Sequence, residues 1–283
     1  MTRVIRVLLV SAALLGLTPP AFAGQQTVSP ALKSTHELVL TDGSRMYGHV
    51  VSETATEVEF RLMSGALITA ARERIVILRP ALGRVIKGEF RREDPNNTRL
   101  LFAPTGRALP KGHAYLGVYE VSMPFVQVGL TDRISIGGGT PLIVGFDESH
   151  RPFWVTPKVQ VLSRGGVHVA AGLFHGFNLD GDSLGVAYGV VTRDGESGSA
   201  TVGAGIGYTS DGSRGGVVMA GADAPLRRNM KLVTENYLWN SGGIVSAGVR
   251  FFGDNLSADL ALGVVMTSDG AFGAPIVNFV YRF

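Results

Sequence analysis

The 283-residue sequence contains no cysteine and few charged residues. Without thiols, the chain has no disulfide bond, no zinc–thiolate centre and no cysteine nucleophile. Charged residues make up only 17% of the sequence and the formal net charge is +3, so composition gives no support to nucleic-acid binding. Beyond residue 24, no apolar run reaches the roughly 20 residues that a membrane-spanning helix needs. Any later membrane crossing therefore has to be made by strands.

The N-terminal residues have the three parts of a secretory signal peptide. A basic start is followed by an apolar run over 7–17 and by an Ala-Phe-Ala cleavage site at 21–23. An N-terminal anchor helix is the alternative, but the apolar run is too short to cross a bilayer of about 30 Å. We therefore expect residues 1–23 to be a cleaved signal peptide, and the polar residues 24–35 to be a disordered leader.

Two further regions precede the long C-terminal part. Residues 36–86 contain four or five short alternating segments joined by Asp-Gly and Ser-Gly turns, which predicts a small β-barrel module of the SH3 or Sm type. The segment loosely resembles the Sm-like pattern, but it lacks the basic and aromatic platform of an RNA-binding surface, so we expect a periplasmic adaptor or packing module. Residues 87–112 are rich in proline, asparagine and charge, which predicts an irregular linker.

From residue 113 to 283 the chain reads as one strand after another, with turn signals about every ten residues. This pattern predicts an all-β fold, an antiparallel up-and-down transmembrane β-barrel. Ten strands would result if 113–130 did not make two crossings. Otherwise there are twelve strands, predicted at 113–121, 124–130, 133–141, 153–162, 166–176, 183–192, 199–209, 214–224, 229–239, 243–251, 256–266 and 274–283.

Alternation gives most of these segments one apolar face and one face of small or polar residues. In 201–209, for example, valine, alanine, isoleucine and tyrosine alternate with threonine and glycine. In a soluble sandwich the apolar face would be buried, but glycine, alanine and serine on the other face suit a narrow barrel lumen. In 183–192 we assign to the outer, apolar face Leu184, Val186, Tyr188 and Val190.

The last strand has apolar or aromatic residues at alternate positions: Val277, Phe279, Tyr281 and Phe283. This pattern resembles the C-terminal β-signal of Gram-negative outer membrane proteins. The stretch DPNNTRLLFAPTGRALPKGHAYLGVYEV, residues 94–121, followed by VGLTDRISIGGG, resembles a recurring group of bacterial envelope barrels that carry a DPN-x-TR…PT-x-R segment ahead of the first strand. The resemblance implies an outer membrane barrel surrounded by membrane lipids and recognised by the barrel assembly machinery. It brings no reaction and no ligand.

Following the alternation inward gives a set of polar residues that we expect to face the lumen: Glu120, Gln127, Lys158, His168, Asp223, Lys231, Glu235, Arg250, Asp259 and Arg282. Charges of both signs in a small barrel usually form a salt-bridged network that fills the lumen, because unpaired buried ions are costly. The alternative is a narrow pore or small-ligand site. We predict no metal and no cofactor.

The function expected from these observations is a structural or narrow transport role without catalysis. Two alternatives remain open. One is a lipid-modifying enzyme, in which His175 with Ser183 and Asp180, or His168, would be catalytic. The other is a soluble secreted β-protein, such as an adhesin. Arg107 and Lys111, just before the first barrel strand, are interpreted as a phosphate cradle or as anchors at the lipid headgroups.

Overall fold

The computed structural model describes residues 35–81, 83–86, 89–142, 151–179, 182–268 and 270–283. Within these ranges the chain forms strands and a single 3₁₀ turn, and no helix there is long and apolar enough to cross a membrane. The predicted signal peptide and all but the last residue of the predicted leader lie outside the described residues. The strands are β1 His36–Leu40, β2 Arg45–Glu53, β3 Glu57–Leu62, β4 Leu67–Ala71, β5 Ile75–Pro80, β6 Gly83–Ile86, β7 Glu89–Arg92, β8 Ala114–Tyr119, β9 Met123–Gly129, β10 Ile134–Gly139, β11 Phe153–Val155, β12 Lys158–Arg164, β13 Val167–Leu179, β14 Asp182–Gly195, β15 Gly198–Thr209, β16 Arg214–Arg227, β17 Met230–Trp239, β18 Gly242–Phe252, β19 Leu256–Thr267 and β20 Gly270–Arg282.

The first five strands form a small antiparallel sheet in the order β4-β3-β2-β1-β5. Tight turns with Gly43 and Gly65 at positive φ join its neighbouring strands, as the Asp-Gly and Ser-Gly pairs predict. Its core contains Leu38, Phe60 and Ala70. A separate two-stranded hairpin, β6–β7, follows it along the chain.

A buried carboxylate on β1 organises the contact between this sheet and the rest of the molecule, with which it forms one compact unit. Glu37 is only 1% exposed and accepts hydrogen bonds from Arg79 at 2.7 Å, from Arg92 at 3.1 Å and from the Tyr47 hydroxyl at 3.0 Å. Burial alone would raise the pKa of Glu37, but these hydrogen bonds and charges outweigh it and lower that pKa. Arg79 and Arg92 also bind Asp254, in the turn between β18 and β19, and so join the small sheet to the barrel.

The remaining strands close into an antiparallel barrel of twelve crossings, as predicted. Because β11 and β12 are two parts of one crossing interrupted at Thr156-Pro157, they count once. Pairing of β20 with β8 closes the barrel, and the Phe283 N–H donates to the Ala114 carbonyl at 2.9 Å. Since β8 pairs with both β20 and β9, the region 113–130 makes two crossings and the ten-strand alternative is wrong.

The outer surface of the barrel is apolar. Large side chains stand exposed on alternate positions of the long strands, including Val202 at 57%, Ile206 at 59% and Leu260 at 61%. The inward positions of the same strands hold small or polar residues such as Thr201 and Ser257, each at most 2% exposed. For 201–209 the predicted orientation is therefore confirmed.

In 183–192 the predicted orientation is wrong. Tyr188 and Val190 pack inside the barrel, while Ala187, Gly189 and Val191 stand on the outer surface. Both faces of this strand are apolar, so alternation does not distinguish them. The interior of the barrel is itself apolar at this level, because another segment of the chain packs there.

Candidate functional site

The segment between the small sheet and the barrel lies inside the lumen. Residues 94–109, here called the plug, form a tight hairpin in which Thr105 N–H donates to the Thr98 carbonyl and Leu100 N–H to the Ala103 carbonyl, each at 2.9 Å. The hairpin tip packs in one apolar cluster with wall residues of six strands: Ala170, Val190, Met219, Val233, Ala261 and Ile276. The predicted irregular linker, 87–112, thus begins with the strand β7, and its residues 94–109 fill the barrel, which sequence reasoning did not anticipate.

Two glycines make room for the plug. A Cβ atom at Gly221 on β16 would lie 2.4 Å from Leu100 Cδ1, so only glycine accommodates the plug leucine there. A Cβ atom at Gly106 in the plug would lie 2.2 Å from the carbonyl oxygen of His168, so the plug backbone runs against the wall. Gly106 N–H also donates to Thr192 Oγ1 at 2.8 Å. Part of the glycine content of this chain therefore serves close packing between plug and wall.

Arg250 is the central contact between wall and plug. Its guanidinium is fully buried and pairs with Asp259 on the neighbouring strand at 2.5 and 2.9 Å. The same group donates to Asp94 Oδ2 at 3.0 Å and to the carbonyl of Asn96 at 2.8 Å, and it also bonds the carbonyls of Arg99 and Leu100. A guanidinium suits this role because it carries five donors in a fixed plane.

Lys231 and Asp223 continue this network toward the barrel end at which β8 begins and β20 ends. Lys231 Nζ lies 2.7 Å from Asp94 and 3.6 Å from Asp223, which also accepts the Ser199 hydroxyl at 2.5 Å. Burial would raise the pKa of Asp94, but the charges of Lys231 and Arg250 outweigh it and hold that pKa well below its usual range.

The ammonium of Lys158 holds the plug hairpin from the opposite wall. It donates to the carbonyls of Thr98 at 3.3 Å, Thr105 at 3.2 Å and Arg107 at 2.7 Å. Three acceptors match the three ammonium protons. No carboxylate of the described residues forms an ion pair with Lys158, and its positive charge is therefore balanced only by dipoles.

Glu235 and Gln127 bind the plug from two further strands. Glu235 Oε2 accepts the backbone N–H groups of Phe102 and Ala103, each at 2.9 Å, and Oε1 accepts the Tyr237 hydroxyl at 2.7 Å. Gln127 accepts from Arg99 of the plug and donates to Ser135 at 3.0 Å.

His168 belongs to a series of hydrogen-bonded polar side chains near the barrel end at which β8 begins and β20 ends. The Ser163 hydroxyl lies 3.0 Å from His168 Nδ1, and His168 Nε2 lies 3.3 Å from Asp194 Oδ2. The guanidinium of Arg107 binds the other oxygen of Asp194, so Arg107 holds the plug to the wall. This contact differs from the predicted phosphate or headgroup role, because both partners belong to the chain itself.

Two of the predicted lumen residues lie apart from the plug. Glu120 is in the turn between β8 and β9, where it and Val121 have positive φ, and its Oε2 accepts Val277 N–H at 3.4 Å. Arg282 ends β20, half-buried, opposite Tyr115 in the ladder. The prediction that Glu120 faces the lumen assumed that the strand continued to residue 121.

The predicted catalytic group around His175 does not form among the described residues. His175 Nδ1 lies 2.9 Å from the Tyr208 hydroxyl, and the His175 ring meets Phe177 edge-on. Ser183 makes its hydrogen bonds with Ser210, whereas Asp180 lies outside the described residues. The described residues also contain no cluster of three or more His, Asp or Glu side chains that could hold a metal ion.

The plug leaves a cavity on each side. The cavity at the end where β8 begins and β20 ends, about 470 Å³, is lined by polar and apolar groups in similar measure, with His168, Asp194 and Lys231 among the polar ones. The cavity at the opposite end, about 440 Å³, is lined mainly by aromatic and aliphatic side chains. Arg99 of the plug and Lys158 of β12 also line it. The cavity beside His168 is therefore more polar than the cavity beside Trp154.

Sequence reasoning found most wall residues that hold the plug but missed the plug itself. The signal lay in residues 94–109, where four apolar residues follow Arg99 in a segment that carries no strand period.

No protein-family model matches the sequence, and no curated protein matches it. Solved structures with a similar fold include the KdgM porin in complex with disordered oligogalacturonate, at 8% identity and a TM-score of 0.47 over 60% of this chain and 98% of that chain. The NanC porin is similar at 8% identity and a TM-score of 0.45, over 60% of this chain and 99% of that chain. An outer membrane channel from Pseudomonas putida F1 is similar at 11% identity and a TM-score of 0.44, over 62% of this chain and 96% of that chain.

Proposed function

We propose that this protein is an integral outer membrane barrel that its own plug holds closed. In this proposal it serves as a structural or narrow transport component of the envelope and not as an open diffusion pore. The observation that carries the proposal is the filled lumen, in which buried groups from at least five wall strands bind residues 94–109.

The apolar outer surface supports membrane insertion. A water-soluble barrel would expose side chains such as Leu260 and Leu262, at 61% and 58%, to solvent along the whole wall. In a bilayer the same side chains contact acyl chains, and closure leaves no unpaired strand edge in lipid. The small sheet then lies in the periplasm, since outer membrane barrels have their short turns and termini on that side.

Fractionation and gel mobility test the proposal. The mature protein should stay with the outer membrane in high salt, and the unboiled protein should migrate differently from the boiled protein on a gel. Extraction by salt alone, with a monodisperse fold in the absence of detergent, would contradict insertion and favour the soluble secreted alternative.

One arrangement favours an enzyme as the second candidate. Ser163, His168 and Asp194 form a hydrogen-bonded chain at a chamber wall, with Ser163 exposed. In a hydrolase, His168 would accept the Ser163 proton as the hydroxyl attacks an ester carbonyl and would pass that proton to the departing alcohol. Water would then hydrolyse the acyl-serine, which releases the acid and restores the Ser163 hydroxyl. Ester turnover that is lost in Ser163→Ala and in His168→Ala would support this candidate, whereas equal background rates in all three proteins would eliminate it.

A further inference from the structure

The apolar chamber has the size and lining of a ligand site. Its volume, about 440 Å³, lies within the range of about 300–1,000 Å³ that is typical of small-molecule pockets. Aromatic and sulfur-containing side chains from plug and wall form its surface, among them Phe102, Met123, Trp154, Phe174 and Tyr188. Trp154 also lines this interior, and its ring lies against Gly139, where a Cβ atom would be 2.4 Å from the ring.

The charges around this chamber do not balance. Arg99 and Lys158 line it, and neither forms an ion pair with a carboxylate of the described residues. The other buried cations of the network, Arg250 and Lys231, are paired with aspartates. Glu235 binds the backbone of Phe102 and Ala103 and does not line the chamber. Arg99, whose guanidinium stays protonated, therefore places a positive charge beside an apolar cavity.

Arg99 is also incompletely bonded. Its terminal nitrogens donate to the Tyr119 hydroxyl and to Gln127, and its guanidinium carbon lies 4.8 Å from the centre of the Phe125 ring. Its Nε is buried and has no hydrogen-bond partner among the described residues, and the same holds for the hydroxyl of Thr156, another residue of the chamber lining. Buried polar atoms without partners are uncommon in proteins, because each costs free energy. The described partners of Arg99 use two of the five donors of its guanidinium, so the terminal nitrogens can still donate to an oxygen acceptor in the chamber.

We propose that this chamber binds a hydrophobic monoanion, a single aliphatic chain with a carboxylate head. The chain lies among the aromatic side chains and the carboxylate lies toward Arg99, which forms no ion pair with a carboxylate of the described residues. This inference rests on the proposed function, because the chamber exists only while the plug is seated in the barrel. In this proposal the ligand is held in the chamber beside the plug, and the protein either transports it or senses it.

Trp154 provides a direct readout, since the chain has only two tryptophans. In a Trp239→Phe background Trp154 is the sole tryptophan, and its emission reports ligand in the chamber. Refolded protein in neutral detergent is titrated with decanoate, decan-1-ol and decyltrimethylammonium, which share one chain length and differ in charge. Decanoate should give a saturable change at one ligand per protein, and the other two probes should bind at least about tenfold more weakly, since a charge-assisted hydrogen bond contributes more than a neutral one.

Variants separate head recognition from chain recognition. Arg99→Gln should weaken decanoate about tenfold and leave decanol unchanged, a difference of about 1.4 kcal/mol. Val217→Phe, which adds bulk to the chamber wall, should weaken both probes. Arg164→Gln is the matched control, because Arg164 is exposed at the end of β12 and does not line the chamber.

Equal affinity for decanoate and decanol would overturn the monoanion. The absence of any saturable change, in protein that still shows heat-modifiable migration, would overturn the site and leave the proposed function standing. Loss of heat-modifiable migration in the unsubstituted protein would instead count against the barrel and the site together.

Discussion

Replacing Arg250 should release the plug. In Arg250→Met the apolar stem remains, but Asp259 and Asp94 lose their guanidinium partner, and the carbonyls of Asn96, Arg99 and Leu100 lose a donor. Asp94 keeps Lys231 at 2.7 Å, whereas Asp259 keeps only the Asn278 amide at 3.4 Å. The buried carboxylate of Asp259 is therefore left without a cation.

Breaking one side of a buried ion pair costs about 3–5 kcal/mol. That is a factor of roughly 10² to 10⁴ in the equilibrium between the seated and the released plug. The cost falls on the seated state, because a released plug lets water reach both aspartates. We therefore expect a less stable protein in urea unfolding followed by tryptophan emission, with the barrel still heat-modifiable on a gel.

The double variant Arg250→Met/Asp259→Leu removes the stranded carboxylate and should recover much of the loss, because apolar residues of similar volume often replace a buried pair at little cost. Arg164→Gln serves as the exposed control. If Arg250→Met lowers the unfolding free energy by less than about 1 kcal/mol, or if the double variant is no better than the single one, the reasoning is wrong.

Three other outcomes are expected. In this cysteine-free chain, Ala103→Cys at the buried hairpin tip should resist a water-soluble maleimide until the protein is denatured, whereas the exposed Lys111→Cys should react at once; equal rates would contradict the buried tip. The lowered pKa of Glu37 means that its stabilisation is present above the ordinary value of about 4.3 and is lost as pH falls through the lowered value, so the urea midpoint should drop between pH 6 and pH 3 in the native protein and less in Glu37→Gln. Phe283→Ala should reduce the amount of folded barrel in the outer membrane fraction without changing its urea midpoint, as expected if the last residue acts in assembly; unchanged yield would argue against that role.

The strands were predictable because a barrel wall imposes one local rule, apolar outside and small or polar inside, on every crossing. This rule gives the orientation of Val202 and Leu260 from a few neighbouring residues. It fails at Tyr188 and Val190, because the inside of the wall there is covered by the apolar plug tip. The wrong orientation predicted for 183–192 and the failure to predict the plug therefore have the same cause.

The plug was not predictable from its own residues. Its backbone carbonyls and N–H groups are satisfied by Lys158, Glu235 and Arg250, which lie more than fifty residues away in the sequence. The plug has no regular alternation of apolar and polar residues, so these distant partners determine its position. A single sequence does not show which distant residues will contact each other. The unusual density of charge predicted for the lumen was the available sign that something polar had to be bound there.

Conductance in a planar lipid bilayer tests the central claim most directly. The refolded native barrel should insert without steady ion current, while Arg250→Met and a deletion of residues 95–108 should produce discrete open-channel steps at the same voltage. Steps of the same size in the native protein and in the deletion would show that residues 94–109 do not close the lumen.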